Sequence, residues 1–243
     1  MQAFFLAMAL NPGVVEKAQE ELDRVVGKDR LPEFSDRDDL PYVDAVVKEL
    51  LRWNPPAPIS LPVKVAKDDV YRGYSIPARA TVIENIWAVF RDPNIYPDPE
   101  AFNPDRFLKN GEINPLVFNP EDRVFGSGRR KEMLITPPTA MNNRTPRTCP
   151  GRHFALRTLY IVVACVLSVF NIGPALDEDG NLQPPTAEFN TRIMRYVSLW
   201  TSIRILTVVR RCISDPKPFK CSIEPRSESS VKLVREAYDV TSF

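Results

Sequence analysis

Cys149-Pro150-Gly151, at the head of the apolar stretch 150–170, carries the most chemical potential in this chain. A thiol in front of a helix faces unpaired backbone N–H groups and the positive end of the helix dipole. Both favour thiolate, the form that ligates iron or acts as a nucleophile. Glycine two residues on lets a flat group approach the backbone closely. A nucleophilic thiol needs a histidine base. The only histidine, His153, stands four residues along the same helix and is expected to face solvent. A buried structural thiol is equally compatible with these residues alone.

A second constellation involves charge. Glu49 and Arg52 are three apart, so on a helix they share a face and can meet. Alone, such a pair reads as an exposed contact worth a few tenths of a kcal/mol. Downstream, Asn103-Pro104-Asp105-Arg106-Phe107 places another arginine in a proline-rich coil. One glutamate bridging two guanidiniums would make a partly buried network pinning coil to helix.

These residues need elements to hold them. Val14–Val26 has apolar residues at helical spacing and ends at Gly27, a C-terminal stop. Pro41–Trp53 predicts a second helix, closed by Asn54-Pro55-Pro56. Pro150–Phe170 predicts the longest, with an apolar face through Ala155, Leu159, Val162, Val163 and Val166. The opening MQAFFLAMAL reads as a buried helix end, since no basic residue precedes it as a signal peptide requires. Residues 60–87 mix β-branched residues with turn signals and predict short strands. Residues 92–120 predict ordered coil with one short helix, and the tail from Asp177 onward a turn and short strands. The expected class is mainly α with small β-sheets, α+β.

The balance of 32 Lys and Arg against 31 Asp and Glu advertises no nucleic-acid partner and no membrane-surface partner. Leu159–Phe170, the longest later apolar run, falls short of the roughly 18 to 20 residues that cross a bilayer. The four cysteines, 149, 165, 212 and 221, show no C-x-x-C spacing, which favours a reducing compartment.

Taken together, Glu49-x-x-Arg52, Asn103-Pro-Asp-Arg106-Phe107, Phe125-Gly-Ser-Gly128-Arg-Arg130 and Cys149-Pro-Gly151-Arg-His-Phe-Ala155 follow the order seen in haem-thiolate monooxygenases. The chain resembles the cytochrome P-450 superfamily, with a fungal flavour in KAQEELDRVVG, LPYVDAVVKELLRW, DVYRGYSIP, NIWAVFRDP and PFKCSIEPRS. The resemblance spans nearly the whole chain. It implies the C-terminal, haem-binding half of that fold, with haem b (iron protoporphyrin IX) as cofactor. It makes Cys149 the axial ligand of the haem iron and the catalytic residue. It places Phe125 near the thiolate, Gly128 at a tight turn, Gly151 against the macrocycle, and Glu49, Arg52 and Arg106 in a structural network. An arginine two places before the cysteine would pair with a haem propionate.

The loop is interrupted. The family's Phe-x-x-Gly-x-Arg-x-Cys-x-Gly runs without a break, and removing the 17 residues Lys131–Arg147 leaves FGSGRRTCPGRHFA, an unbroken match. Arg130 and Arg147 each supply an arginine at the joint, so either could be the propionate partner, and the cut could equally take residues 130–146. A retained intron fits, being a whole number of codons with Arg-Lys-Glu encodable through a splice donor; a surface insertion is the alternative. A similar break covers roughly residues 194–213. Two further departures bear on activity. Val63 stands where a propionate-holding histidine or arginine is usual, with Lys64 a possible substitute. The chain also begins at what resembles the last turns of the long distal helix, which places the oxygen-activating motif, the membrane anchor and most substrate contacts before Met1.

The resemblance implies an oxidoreductase inserting one oxygen atom from O2 into a small lipophilic substrate. Electrons would come from an NADPH-dependent flavoprotein reductase docking on a patch of Arg123, Arg129, Arg130, Lys131 and Arg152. The parent enzyme would lie at the endoplasmic reticulum membrane, on its cytosolic face, whereas this chain carries no anchor. The competing expectation is a truncated, mis-spliced, non-catalytic fragment.

Overall fold

The computed structural model of the chain describes residues 1–126, 128, 129, 146, 147, 149–177, 180–192 and 213–240. The architecture is helical with small antiparallel sheets. Seven helices are described: α1 (Gln2–Leu10), α2 (Pro12–Val25), α3 (Pro41–Trp53), α4 (Ile86–Phe90), α5 (Glu121–Val124), α6 (Arg152–Val169) and α7 (Glu228–Val240).

α3 is the centre of the molecule, and every residue from Tyr42 to Trp53 is buried. Pro41 sits in its first turn, where a missing N–H costs nothing. The next two amides are capped from another helix, Glu21 of α2 accepting from Tyr42 N and Val43 N at 3.0 Å each. Burial pushes the Glu21 carboxyl up, and these two bonds pull it back. α2 ends where Val26 N and Gly27 N both reach Leu22 O. Gly27 carries the left-handed φ of 81° that favours glycine at a helix stop.

The main core joins α1, α2, α3 and α6 through residues such as Phe4, Met8, Leu22, Val46, Tyr160 and Leu167. A second cluster, Ala45, Ile86, Phe90, Tyr96 and Phe107, packs on the other side of α3. The amino-terminal apolar stretch is thus the buried helix α1, as its composition predicts.

The strands are short. β1 (Val63–Lys64) pairs with β4 (Thr81–Val82), and β2 (Asp69–Tyr71) with β3 (Tyr74–Ile76). β5 (Leu108–Lys109) pairs with β6 (Glu112–Ile113), and β7 (Gly128–Arg129) with β8 (Pro146–Arg147). β9 (Phe170–Leu176) lies between β10 (Leu182–Gln183) and β13 (Cys221–Pro225), while β11 (Phe189–Arg192) pairs with β12 (Ile213–Pro216).

Four expectations are corrected. The tail ends in a helix, α7, where strands were expected, and Ser227 Oγ caps it by accepting from Ser230 N at 3.1 Å. Residues 86 and 87, at the end of the stretch expected to hold short strands, open the helix α4, started by Asn85 Oδ1 accepting from Ala88 N. In the proline-rich coil the short helix is a 3-10 turn, Pro104–Phe107, and a hairpin of β5 and β6 follows it. The buried face of α6 runs through Leu156, Tyr160, Val163, Ala164 and Leu167, so Ala155 points outward. α6 is also longer than the apolar run 159–170. Its 18 residues average a hydropathy of 1.5, enough by length and composition to cross a membrane. Its buried face is packed into the core shared with α1, α2 and α3.

Arg226, between β13 and α7, ties the tail to α2. Its Nη1 and Nη2 donate to Asp23 Oδ1 and Oδ2 at 2.8 and 2.7 Å, and Nη1 also reaches Ser168 O at 3.1 Å. The guanidinium holds the Asp23 carboxyl below its ordinary value, outweighing an upward push from burial. A depressed carboxyl contributes stability above its unfolded pKa and loses it as pH falls through the folded one. Arg226→Gln is therefore expected to cost about 1 kcal/mol near neutrality, and less at a pH acidic enough to protonate Asp23 in the folded chain, where the bond to Ser168 O is what remains to lose. Urea midpoints at the two pH values check this; an equal loss at both would remove Asp23 from the account.

Candidate functional site

Glu49 and Arg52 are both fully buried on α3. Arg52 Nε and Nη2 donate to the two Glu49 carboxylate oxygens at 2.7 and 2.8 Å. Its remaining donors reach Phe90 O at 3.0 Å, Pro99 O at 2.8 Å and Ala101 O at 3.0 Å. All five guanidinium N–H groups are thereby used, which is what a buried arginine requires. Tyr96 lies 5.4 Å below the guanidinium, a cation–π contact.

Glu49 Oε1 also accepts from Asn103 N at 2.8 Å and Arg106 Nε at 3.2 Å. Arg106 Nη1 and Nη2 continue to Pro97 O and Asp98 O at 2.7 and 3.1 Å. One carboxylate thus joins two guanidiniums and a backbone amide, and through them α3 holds the coil from residue 90 to 106. The structure brings Glu49, Arg52 and Arg106 together as a single unit.

The cysteine loop starts from α5. Phe125 follows that helix, and Gly126 takes a left-handed φ of 91°. Sequence reasoning passed over this glycine and placed the tight turn at Gly128, which lies in β7 opposite Arg147. Arg129 pairs with Pro146. Cys149 N then donates to Phe125 O at 2.8 Å, and Arg152 N to Cys149 O at 3.0 Å, starting α6. The two ends of the interrupted passage are therefore held side by side. Arg130 and most of residues 131–147 and 194–213 lie outside the described residues.

Cys149 is exposed, a free thiol just ahead of α6. Among the described residues, a Cβ added to Gly151 would meet only Cys149 Sγ, at 3.7 Å, so none of them crowds the backbone face beside the sulfur. An exposed thiol beside such a face fits a haem iron ligand in donor chemistry and access. His153 is exposed, as expected. Val63 and Lys64 lie exposed on β1, opposite Val82 and Thr81.

Of the expected basic patch, Arg130, Lys131 and the Arg129 side chain lie outside what the structure describes, which leaves Arg123 and Arg152. Arg152 Nη2 stands 3.2 Å from Glu121 Oε2 and 3.3 Å from Asp122 Oδ1. Arg123 stands 3.5 Å from a Glu84 oxygen. These two positive charges are met by neighbouring carboxylates.

Comparison with known proteins gives the same direction. The Cytochrome P450 family model matches residues 1–131, ending at the residue where the foreign passage begins. The chain is 42% identical over 241 residues to Cytochrome P450 monooxygenase COX2 of Coprinopsis cinerea, covering 99% of this chain and 39% of that protein. It is 38% identical to Cytochrome P450 monooxygenase 176 of Postia placenta, covering 100% of this chain and 40% of the relative. It is 38% identical to the Tryptamine 4-monooxygenase of Psilocybe cyanescens, covering 96% of this chain and 39% of the relative. The chain spans about two-fifths of the length of the curated relatives it matches.

Proposed function

Because the chain belongs to the cytochrome P450 family, we propose that it forms the haem-binding part of a haem-thiolate monooxygenase acting on a small lipophilic substrate, with Cys149 as the iron's axial ligand. The observation that carries this reading is the exposed Cys149 thiol, held ahead of α6 by the Phe125 O bond. Bound haem, in this family iron protoporphyrin IX, would supply dioxygen activation, favoured by electron density from the thiolate.

The chain's own residues would do the rest. Gly151 leaves the macrocycle room, Phe125 holds the cysteine amide, and Arg130 or Arg147 pairs with a propionate. Glu49, Arg52 and Arg106 keep the supporting coil fixed to α3. Electrons would arrive from an NADPH-dependent flavoprotein reductase. The complete enzyme would sit at the cytosolic face of the endoplasmic reticulum membrane. We read residues 131–147 and roughly 194–213 as insertions in this domain; the end of the family match at residue 131 favours the first boundary.

A second reading, a fragment without catalysis, is favoured by large apolar side chains left in solvent. Leu61 is 77% exposed, Phe154 78% and Leu116 84%. One measurement separates the two. The chain is loaded with haemin, reduced and treated with carbon monoxide. A Soret band at the thiolate-ligated position is the expected result, and its absence leaves the fragment reading.

A further inference from the structure

Lys48 and Glu49 are neighbours on α3, yet they serve different ends of the molecule. Glu49 faces the coil at 97–106, whereas Lys48 Nζ donates to Glu121 Oε1 of α5 at 2.9 Å, with Asp44 Oδ2 at 3.4 Å. The Lys48 and Glu121 side chains are only 11% and 9% exposed. The other oxygen of Glu121 meets Arg152 Nη2 at 3.2 Å, and the same nitrogen reaches Asp122 Oδ1 at 3.3 Å. Arg152 also stands 6.0 Å over the Phe125 ring. A line of alternating charge therefore leads from the middle of α3, through α5, to the first residue of α6.

That line ends beside the thiol. Phe125, under the Arg152 guanidinium, accepts the Cys149 amide, and Cys149 O accepts the Arg152 amide. The cysteine is thus held from both sides by groups that Arg152 fixes. A lone arginine with exposed partners would do this weakly. Here Glu121 is buried and kept in place by Lys48, so its charge-assisted bond has a fixed direction.

We propose that Lys48 and Glu121 act through Arg152 as positioning residues for Cys149, so that the sulfur's placement depends on this relay. The proposal rests on the reading of Cys149 as iron ligand for its purpose, but the geometry it asserts belongs to the chain alone. No group in the relay touches the sulfur; each acts on the backbone that carries it.

Amide hydrogen exchange on the full chain without haem tests the placement directly. Glu121→Gln keeps the shape of residue 121 and removes its charge. Arg152→Gln removes the guanidinium from a side chain that is 22% exposed and therefore tolerant of change. In both, exchange at the Cys149 amide is expected to quicken by about tenfold, the loss of one charge-assisted contact. Arg152→Lys restores most of the protection, while α1 exchanges as in the parent chain. In the haemin-loaded chain the thiolate-type band falls relative to total bound haem in the two Gln variants and recovers in Arg152→Lys. Unchanged exchange at Cys149 in both Gln variants overturns the proposal. So does a loss of protection in α1 equal to that at Cys149, which would mark a general structural role. A parent chain that takes up haem without the thiolate band removes the proposed function, and the exchange measurement still decides the positioning.

Discussion

Arg52→Ala is expected to lower the unfolding free energy by about 3–5 kcal/mol, the cost of breaking a buried ion pair from one side. The loss comes from what stays behind. Glu49 keeps Arg106 but loses the bidentate partner at 2.7 and 2.8 Å, in a site with no exposure to water. The carbonyls of Phe90, Pro99 and Ala101 lose the donor that gathered them. Tyr96, whose phenol burial pushes well up from its ordinary value, loses the cation over its ring. A penalty of this size is a large share of the stability of a small domain, so Arg52→Ala is paired with the milder Arg52→Lys. An ammonium cannot span Glu49 and three carbonyls as a planar fork does, and an intermediate loss is expected. Lys17→Ala is the control. Its pair with Asp105 has side chains 55% and 51% exposed, and its removal should cost under about 1 kcal/mol. Urea unfolding of the three variants settles the order; an Arg52→Ala loss no larger than that of Lys17→Ala would show that the network is not holding the coil.

The same network shows what a sequence can and cannot disclose. Glu49 and Arg52 meet because both lie on a helix whose limits are written locally, in Pro41 and in Asn54-Pro55-Pro56. Arg106 joins them across 57 residues, a meeting suggested by its place between an acid and an aromatic in the proline-rich coil and by the resemblance to the family, but fixed by no local rule. The Lys48–Glu121 pair spans 73 residues and follows no periodic rule, so it was not legible at all. The face of α6 was misread for a different reason. Its apolar residues continue almost all round the helix, and a period of 3.6 then selects no side. Packing against α2 and α3 made the choice of Leu156, Tyr160, Val163, Ala164 and Leu167. α7 could have been found. Val231, Val234 and Tyr238 recur at helical spacing behind Ser227 and Glu228, a signal that alternating charges obscured.

Cys149→Ala is expected to abolish the thiolate band completely while changing the unfolding free energy by no more than about 0.5 kcal/mol, as befits an exposed side chain. The two halves of this expectation have separate causes. The backbone bonds that close the loop, Cys149 N to Phe125 O and Arg152 N to Cys149 O, do not involve the sulfur and survive its removal. The iron, however, loses the only exposed thiol among the described residues. Cys165 and Cys221 are poor substitutes, because burial pushes both thiols up and away from thiolate. Cys165 is further occupied with Pro32 O at 3.7 Å. His153, exposed four residues along α6, offers a nitrogen instead, and haem captured there would give a band at the shorter-wavelength position of non-thiolate ligation. Cys221→Ala should leave the thiolate band intact. If Cys149→Ala keeps that band and Cys212→Ala loses it, the iron's sulfur comes from the other interrupted segment, and the loop ahead of α6 is scaffold alone.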